Sequence, residues 1–180
     1  MTVLAFAEPV AATAFSFLRG ASQPAEMVAQ AHALGMAGIG IADRNTVAGV
    51  VRAHVAAKKL GGFRLIVGAR LVFADATPDI IAYPLDRAGW SRLTRLLTLG
   101  NRRTIKGDCG LQLGDLLDHA AGLALIAVTA DAPLLHALRD TGSPVWLAAR
   151  MLRGGSDARQ LARAMALGQA AGVPLIATND

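Results

Sequence analysis

Six charged residues stand where apolar runs of the sequence begin or end, and their positions make them the best candidates for chemistry. They are Arg19, Asp43, Arg44, Arg70, Asp79 and Asp180. In α/β proteins, binding groups collect where parallel strands end, and a buried charge is costly unless it is paired. These residues are therefore a candidate ion-pair or anion pocket. The alternative is that they are scattered surface charges, and the spacing by itself favours this alternative.

Other catalytic patterns are missing from the sequence. The four histidines, His32, His54, His119 and His136, fall in predicted helices and lack the spacing of metal ligands. No phosphate-binding glycine loop or G-x-S-x-G motif is present. Cys109 has no histidine near it in sequence, which favours a small packing thiol over a nucleophile. We therefore predict no catalytic residue.

The elements that would position these charges are short apolar runs alternating with helical patterns. Such alternation predicts an α/β fold built of parallel βαβ units. Ser22 is the expected cap of a helix ending at Gly35, and Ser156 opens another that ends near Gly172. Residues 72–79 are predicted to turn between neighbouring strands. The seven candidate strands lie within residues 4–10, 37–43, 64–73, 79–85, 122–130, 144–152 and 173–180.

Composition restricts the possible classes of protein. The 180 residues fit one domain, and no apolar run approaches the roughly 18 residues of a membrane-spanning helix. No secretory signal is visible, so we expect a cytoplasmic protein without membrane contact. The net charge of +5 permits a polyanionic partner, although aromatic residues make up only 4% of the chain and offer no stacking platform for bases.

Three long segments carry a family resemblance. They read "FSFLRGAS", "ADRNTVAGVVRAHVAAKKLGGFRLIVGARL" and "DRAGWSRLTRLLTLGNRRTIKGDCGLQLGDLL". In this order they resemble the PHP (polymerase and histidinol phosphatase) domain of bacterial C-family DNA polymerase III alpha subunits, most closely the error-prone, damage-tolerant branch. The resemblance runs from about Phe6 to Asp180. It implies a distorted seven-stranded (β/α) barrel in which residues 1–180 form one PHP-like domain, a fragment of a longer polymerase chain that stops after the last strand.

Metal-binding members of this family hold a cluster of divalent metals that supports phosphoester hydrolysis. The resemblance places the metal-ligand positions on Val10, Ala12, Arg19, Arg44, Arg70, Asp79 and Asp180. Asp43 matches an aspartate of the family's pattern. Because three arginines would repel a divalent ion and the imidazoles are lost, we expect a vestigial site without metal or cofactor.

The resemblance implies a catalytically inert PHP domain that serves as a structural and docking module of an error-prone DNA polymerase. The parent would synthesise DNA during replication and repair with Mg²⁺ in a separate palm domain. Expected partners are the parent's thumb and palm domains, DNA through the parent, and accessory mutagenesis proteins. The alternatives are a metal-dependent phosphoesterase or 3′–5′ exonuclease domain, and a free-standing nucleic-acid-binding domain.

A basic stretch without acidic residues is a further candidate. We predict that this stretch, from Arg87 to Lys106, forms a contact surface in the parent polymerase, with a solvated helix face as the alternative. Its cationic residues are Arg87, Arg92, Arg95, Arg102, Arg103 and Lys106.

Overall fold

The computed structural model describes residues 6–105 and 107–180, and the described chain contains seven strands and six helices. The elements in chain order are β1 (Ala7–Ala11), α1 (Pro24–Ala33), β2 (Gly38–Arg44), α2 (Val50–Lys59), β3 (Arg64–Leu71), β4 (Ile80–Pro84), α3 (Arg87–Arg102), α4 (Leu113–His119), β5 (Leu123–Ala127), α5 (Ala132–Asp140), β6 (Val145–Arg150), α6 (Asp157–Ala171) and β7 (Leu175–Thr178). The strands follow one another in the sheet in chain order. The predicted seven-stranded α/β fold is therefore confirmed.

The chain divides into two compact units. The first comprises the described residues up to Ala69 together with Asp180, and the second comprises Arg70–Asn179.

In the first unit, β1 and β2 pair in parallel, with Glu8 opposite Ile39. Buried alanines of α1 and α2 lie in the same hydrophobic cluster as Ile39 and Ile41 of β2. Gly38 is required at the start of β2, because a Cβ there would lie 2.7 Å from the carbonyl oxygen of Arg64. The buried residues of this cluster are Ala11, Val28, Ala31, Ile39, Ile41, Ala53 and Ala57.

In the second unit, β5, β6 and β7 are parallel neighbours, whereas β4 runs antiparallel to β5. The expectation of parallel βαβ units is wrong for β4. The reason is local: β4 follows β3 through the predicted turn at residues 72–79 rather than through a crossover helix, and only a crossover returns the chain in the same direction.

Helix α3 packs within the second unit through one apolar face. Leu93, Leu96, Leu97 and Gly100 are buried. Gly100 allows the loop that follows α3 to approach, since a Cβ there would stand 2.5 Å from Cys109 Sγ.

The structure agrees with most of the boundaries predicted for α1 and α6. The α6 boundaries at Ser156 and Gly172 are confirmed, with Gly172 in the left-handed region at φ +64°. The α1 cap is Gln23 rather than Ser22, because Glu26 Oε2 accepts the Gln23 backbone N–H at 2.8 Å. The four histidines all lie in helices, as predicted. Among the described helices, none has the length and apolar character needed to span a membrane.

Candidate functional site

Asp43 lies at the end of β2 and organises the loop that follows β1. Its side chain is 1% exposed. The carboxylate accepts hydrogen bonds from Thr13 N at 2.7 Å, Thr13 Oγ1 at 2.8 Å and Ser16 Oγ at 2.6 Å. Thr13 and Ser16 are themselves buried. Both carboxylate oxygens are thus occupied by donors from the chain, so this aspartate acts as a structural acceptor in the loop.

The same loop is closed by further contacts. Ser16 Oγ accepts the backbone N–H of Arg44 at 3.0 Å, and Ala14 N donates to the carbonyl of Ser22 at 2.8 Å. Gly20 passes so close to Thr13 that a Cβ would lie 2.2 Å from the threonine carbonyl oxygen. These bonds hold the loop against the ends of β1 and β2.

Thr13 and Ser16 are the residues that the sequence analysis missed. They lie 30 and 27 residues from Asp43 along the chain, so no local spacing connects them. The available signal was chemical: two hydroxyl residues three positions apart, in a loop otherwise rich in alanine, beside a strand ending in a carboxylate.

Arg70 and Asp79 form an ion pair in the second unit. Arg70 Nη1 lies 3.0 Å from Asp79 Oδ2, and the side chains are 6% and 23% exposed. Arg70 is the last residue but one of β3, and Asp79 directly precedes β4, so the short turn between these strands brings the two charges together. The guanidinium supplies positive charge beside the carboxylate at two positions where the resemblance implies metal ligands.

The other charges of the predicted pocket have different environments. Arg19 and Arg44 are exposed, and neither forms an ion pair within residues 6–105 and 107–180. Asp180 follows β7 and is partly buried. Of the six predicted residues, the structure therefore joins Arg70 to Asp79, while Asp43 bonds to hydroxyl and backbone donors.

The implied metal cluster does not fit these residues. Val10 is buried and apolar, Ala12 offers no donor atom, and the arginine at position 70 carries positive charge. Among the described residues, no three His, Cys, Asp or Glu side chains lie together in a way that could hold a metal ion.

The turn after β3 contains a second structural carboxylate. Asp75 accepts hydrogen bonds from Thr77 N at 3.1 Å and Leu113 N at 2.8 Å. Burial acts to raise the pKa of Asp75, but the hydrogen bonds from Leu113 and Thr77 outweigh it and hold this pKa below its usual value. The carboxylate thereby fastens the turn to the start of α4.

The predicted basic surface lies on α3 and the loop after it, and its members differ in their contacts. Arg103 makes two hydrogen bonds to Asp115, one of them 2.8 Å from Nη2 to Oδ1. The Arg103 hydrogen bond lowers the pKa of Asp115, and the same bond raises the pKa of Arg103. Arg92 donates to the carbonyl of Ala121 at 3.0 Å. Arg87, Arg95 and Arg102 are exposed, whereas Lys106 lies outside the described residues.

Cys109 is partly buried. Burial raises the pKa of its thiol, which disfavours the thiolate needed for nucleophilic attack. This agrees with the interpretation of Cys109 as a packing residue.

Comparisons with known proteins identify the family. The PHP domain model matches residues 11–166. Error-prone DNA polymerases from Brucella abortus and Rhodopseudomonas palustris are 49% and 47% identical over 96% and 100% of this chain. The chain spans 17% of the length of each of these curated relatives.

Solved structures show the same fold at low sequence identity. A candidate metal-dependent phosphoesterase from Bifidobacterium adolescentis aligns with a TM-score of 0.70 at 17% identity, over 97% of this chain and 87% of that one. An amidohydrolase from Chromobacterium violaceum, crystallised with sulfate and no metal, aligns with a TM-score of 0.69 at 14% identity, over 98% and 87%. The family match, the curated relatives and the shared fold together show that this chain belongs to the PHP domain family.

Proposed function

We propose that this chain is a PHP domain without metal-dependent hydrolysis, serving as a structural and docking module of an error-prone DNA polymerase. The support for the polymerase assignment is the 45–49% identity to curated error-prone DNA polymerases over almost the whole chain. DNA synthesis itself would belong to other domains of such a polymerase, where carboxylate-bound Mg²⁺ would support nucleotidyl transfer.

The observation that carries the proposed inertness is the ion pair between Arg70 and Asp79. A cation fixed at a ligand position opposes a divalent ion strongly where water is scarce, because charge repulsion grows as the effective dielectric falls. The pair also gives the Asp79 carboxylate a positive partner from the protein itself, as a metal would. The environment of Asp43 also supports the proposed inertness, since its carboxylate oxygens already accept three hydrogen bonds from the chain.

Metal content and hydrolysis test the inertness. The purified 180-residue chain would be dialysed and its Mn²⁺ and Zn²⁺ measured by elemental analysis, and then assayed with Mn²⁺ on a 3′-labelled oligonucleotide and on a phosphodiester dye substrate. We expect far less than one metal equivalent per chain and hydrolysis at background. Several retained equivalents, with metal-dependent cleavage that disappears in Asp180→Ala, would establish the phosphoesterase or exonuclease alternative.

Docking is tested separately by mixing the chain with the thumb and palm domains of its parent polymerase. We expect co-elution in size-exclusion chromatography and greater thermal stability of both pieces. Independent elution, with unchanged melting temperatures, would contradict the docking role without affecting the question of hydrolysis.

A further inference from the structure

A groove on the second unit is lined by three arginines and one histidine. It runs along α3 towards the end of α4. The residues that line it are Thr94, Arg95, Thr98, Leu99, Arg102, Arg103 and His119. None of them is acidic, and α3 itself contains no Asp or Glu.

Two of the arginines present their charge on one face of the helix. Arg95 and Arg102 are seven residues apart, which on an α-helix means a rise of about 10 Å and a rotation of only about 20° between them. Their face lies opposite the buried side of α3 that contains Leu93 and Gly100. Both guanidinium groups therefore project from the solvent side of the helix.

The side chains of these two arginines are also available to bind a ligand, unlike that of Arg103. Arg95 and Arg102 are exposed and form no ion pair within the described residues. Arg103 is held by Asp115, and the Thr98 hydroxyl donates to the Thr94 carbonyl at 2.8 Å. Because Asp115 is already neutralised by Arg103, it does not cancel the charge of the groove.

We propose that this groove binds the phosphodiester backbone of DNA, with Arg95 and Arg102 each contacting a phosphate. Guanidinium groups form charge-assisted hydrogen bonds with phosphate oxygens. The groove lining contains no Phe, Tyr or Trp, so bases have no ring of these types on which to stack, and backbone contacts carry no sequence information. The expected binding is independent of sequence and strongly dependent on salt. The proposal does not depend on whether the chain has lost metal-dependent hydrolysis.

The test is fluorescence anisotropy of the 180-residue chain with a labelled 20-base-pair DNA duplex over a series of NaCl concentrations. The variant Arg95→Glu with Arg102→Glu reverses both groove charges. The matched control is Arg159→Glu with Arg163→Glu, which changes the net charge equally on another exposed helix surface, α6. Circular dichroism checks folding, and Arg95→Gln with Arg102→Gln provides a milder form of the same change.

At low salt, we expect the groove variant to weaken DNA binding about tenfold or more, with a smaller loss for the glutamine variant. The slope of log K against log salt should decrease by about 2, since each lost phosphate contact removes about 0.9. The control should keep the wild-type slope. Equal losses in both variants, or no DNA binding by the wild-type chain at low salt, would overturn the proposal. Displacement of DNA by polyglutamate as effective as displacement by unlabelled DNA would instead indicate an acidic polypeptide partner and would also overturn it.

Discussion

Replacing Asp43 with alanine tests whether this aspartate is a structural acceptor. The change removes the acceptor of three buried hydrogen bonds at 2.6–2.8 Å. A hydrogen bond to a charged group contributes about 1.5–3 kcal/mol, and a donor left buried without a partner costs a similar amount. Since such terms overlap when one acceptor is removed, we expect Asp43→Ala to lower the free energy of unfolding by about 4 kcal/mol.

The assay is urea unfolding followed by far-ultraviolet circular dichroism. Trp90 and Trp146 both lie in the second unit, so tryptophan fluorescence would not report directly on the loop of the first unit. With a typical urea dependence of about 2 kcal/mol per molar, the expected loss shifts the midpoint by about 2 M. Asp43→Asn, which keeps one acceptor oxygen, should fall between wild type and Asp43→Ala.

Asp118→Ala is the matched control, because it removes one exposed carboxylate and changes net charge equally. We expect its midpoint to stay close to that of the wild type. A stability loss below about 1 kcal/mol for Asp43→Ala, or a gain in stability, would refute the structural interpretation. A gain would indicate a carboxylate held under electrostatic strain, as in a metal site without its ion.

Three further changes have outcomes that the geometry specifies. Asp79→Ala should destabilise the chain by about 2–3 kcal/mol, since it leaves the buried Arg70 guanidinium without this carboxylate; an unchanged urea midpoint would contradict this. Asp115→Asn should lower the melting temperature at neutral pH, because the Arg103 bond stabilises the ionised carboxylate. The difference in melting temperature from the wild type should shrink as the pH falls through the lowered pKa of Asp115, and a difference that persists in acid would exclude this ion pair as the cause. Gly100→Ala should lower the free energy of unfolding by about 1–3 kcal/mol, because the new Cβ would stand 2.5 Å from the Cys109 sulfur. If calorimetry shows no change, the loop that contains Cys109 moves away without cost and the prediction is wrong.

The secondary structure was predictable because apolar runs of strand length alternate with helical patterns, and each candidate run overlaps a strand of the structure. The direction of β4 could also have been inferred, since residues 72–79 are too few to hold a crossover helix. The α1 cap was missed by one residue because serine is the commoner cap, while here the Glu26 carboxylate bonds to the backbone of Gln23.

The site was less predictable than the fold. The positions of Arg70 and Asp79 at adjacent strand ends made their contact a reasonable expectation, because one short turn joins them. The bonds from Thr13 and Ser16 to Asp43 depend on how two distant segments meet. Residue types alone do not distinguish a carboxylate that accepts hydrogen bonds from hydroxyl groups from one that binds a cation.

The hydrogen bonds of Asp43 also bear on whether a metal site could be engineered at the end of β2. Introducing histidines at positions 10 and 12 would supply imidazole groups, but the neighbouring carboxylate would still accept hydrogen bonds from Thr13 and Ser16. A cation would have to displace donors that now hold the loop in place, so binding would be coupled to local unfolding. The design would therefore need to replace Thr13 and Ser16 as well as the apolar residues and arginines at the implied ligand positions. Engineering a metal site here would therefore require loosening the loop after β1 before any ligand is added.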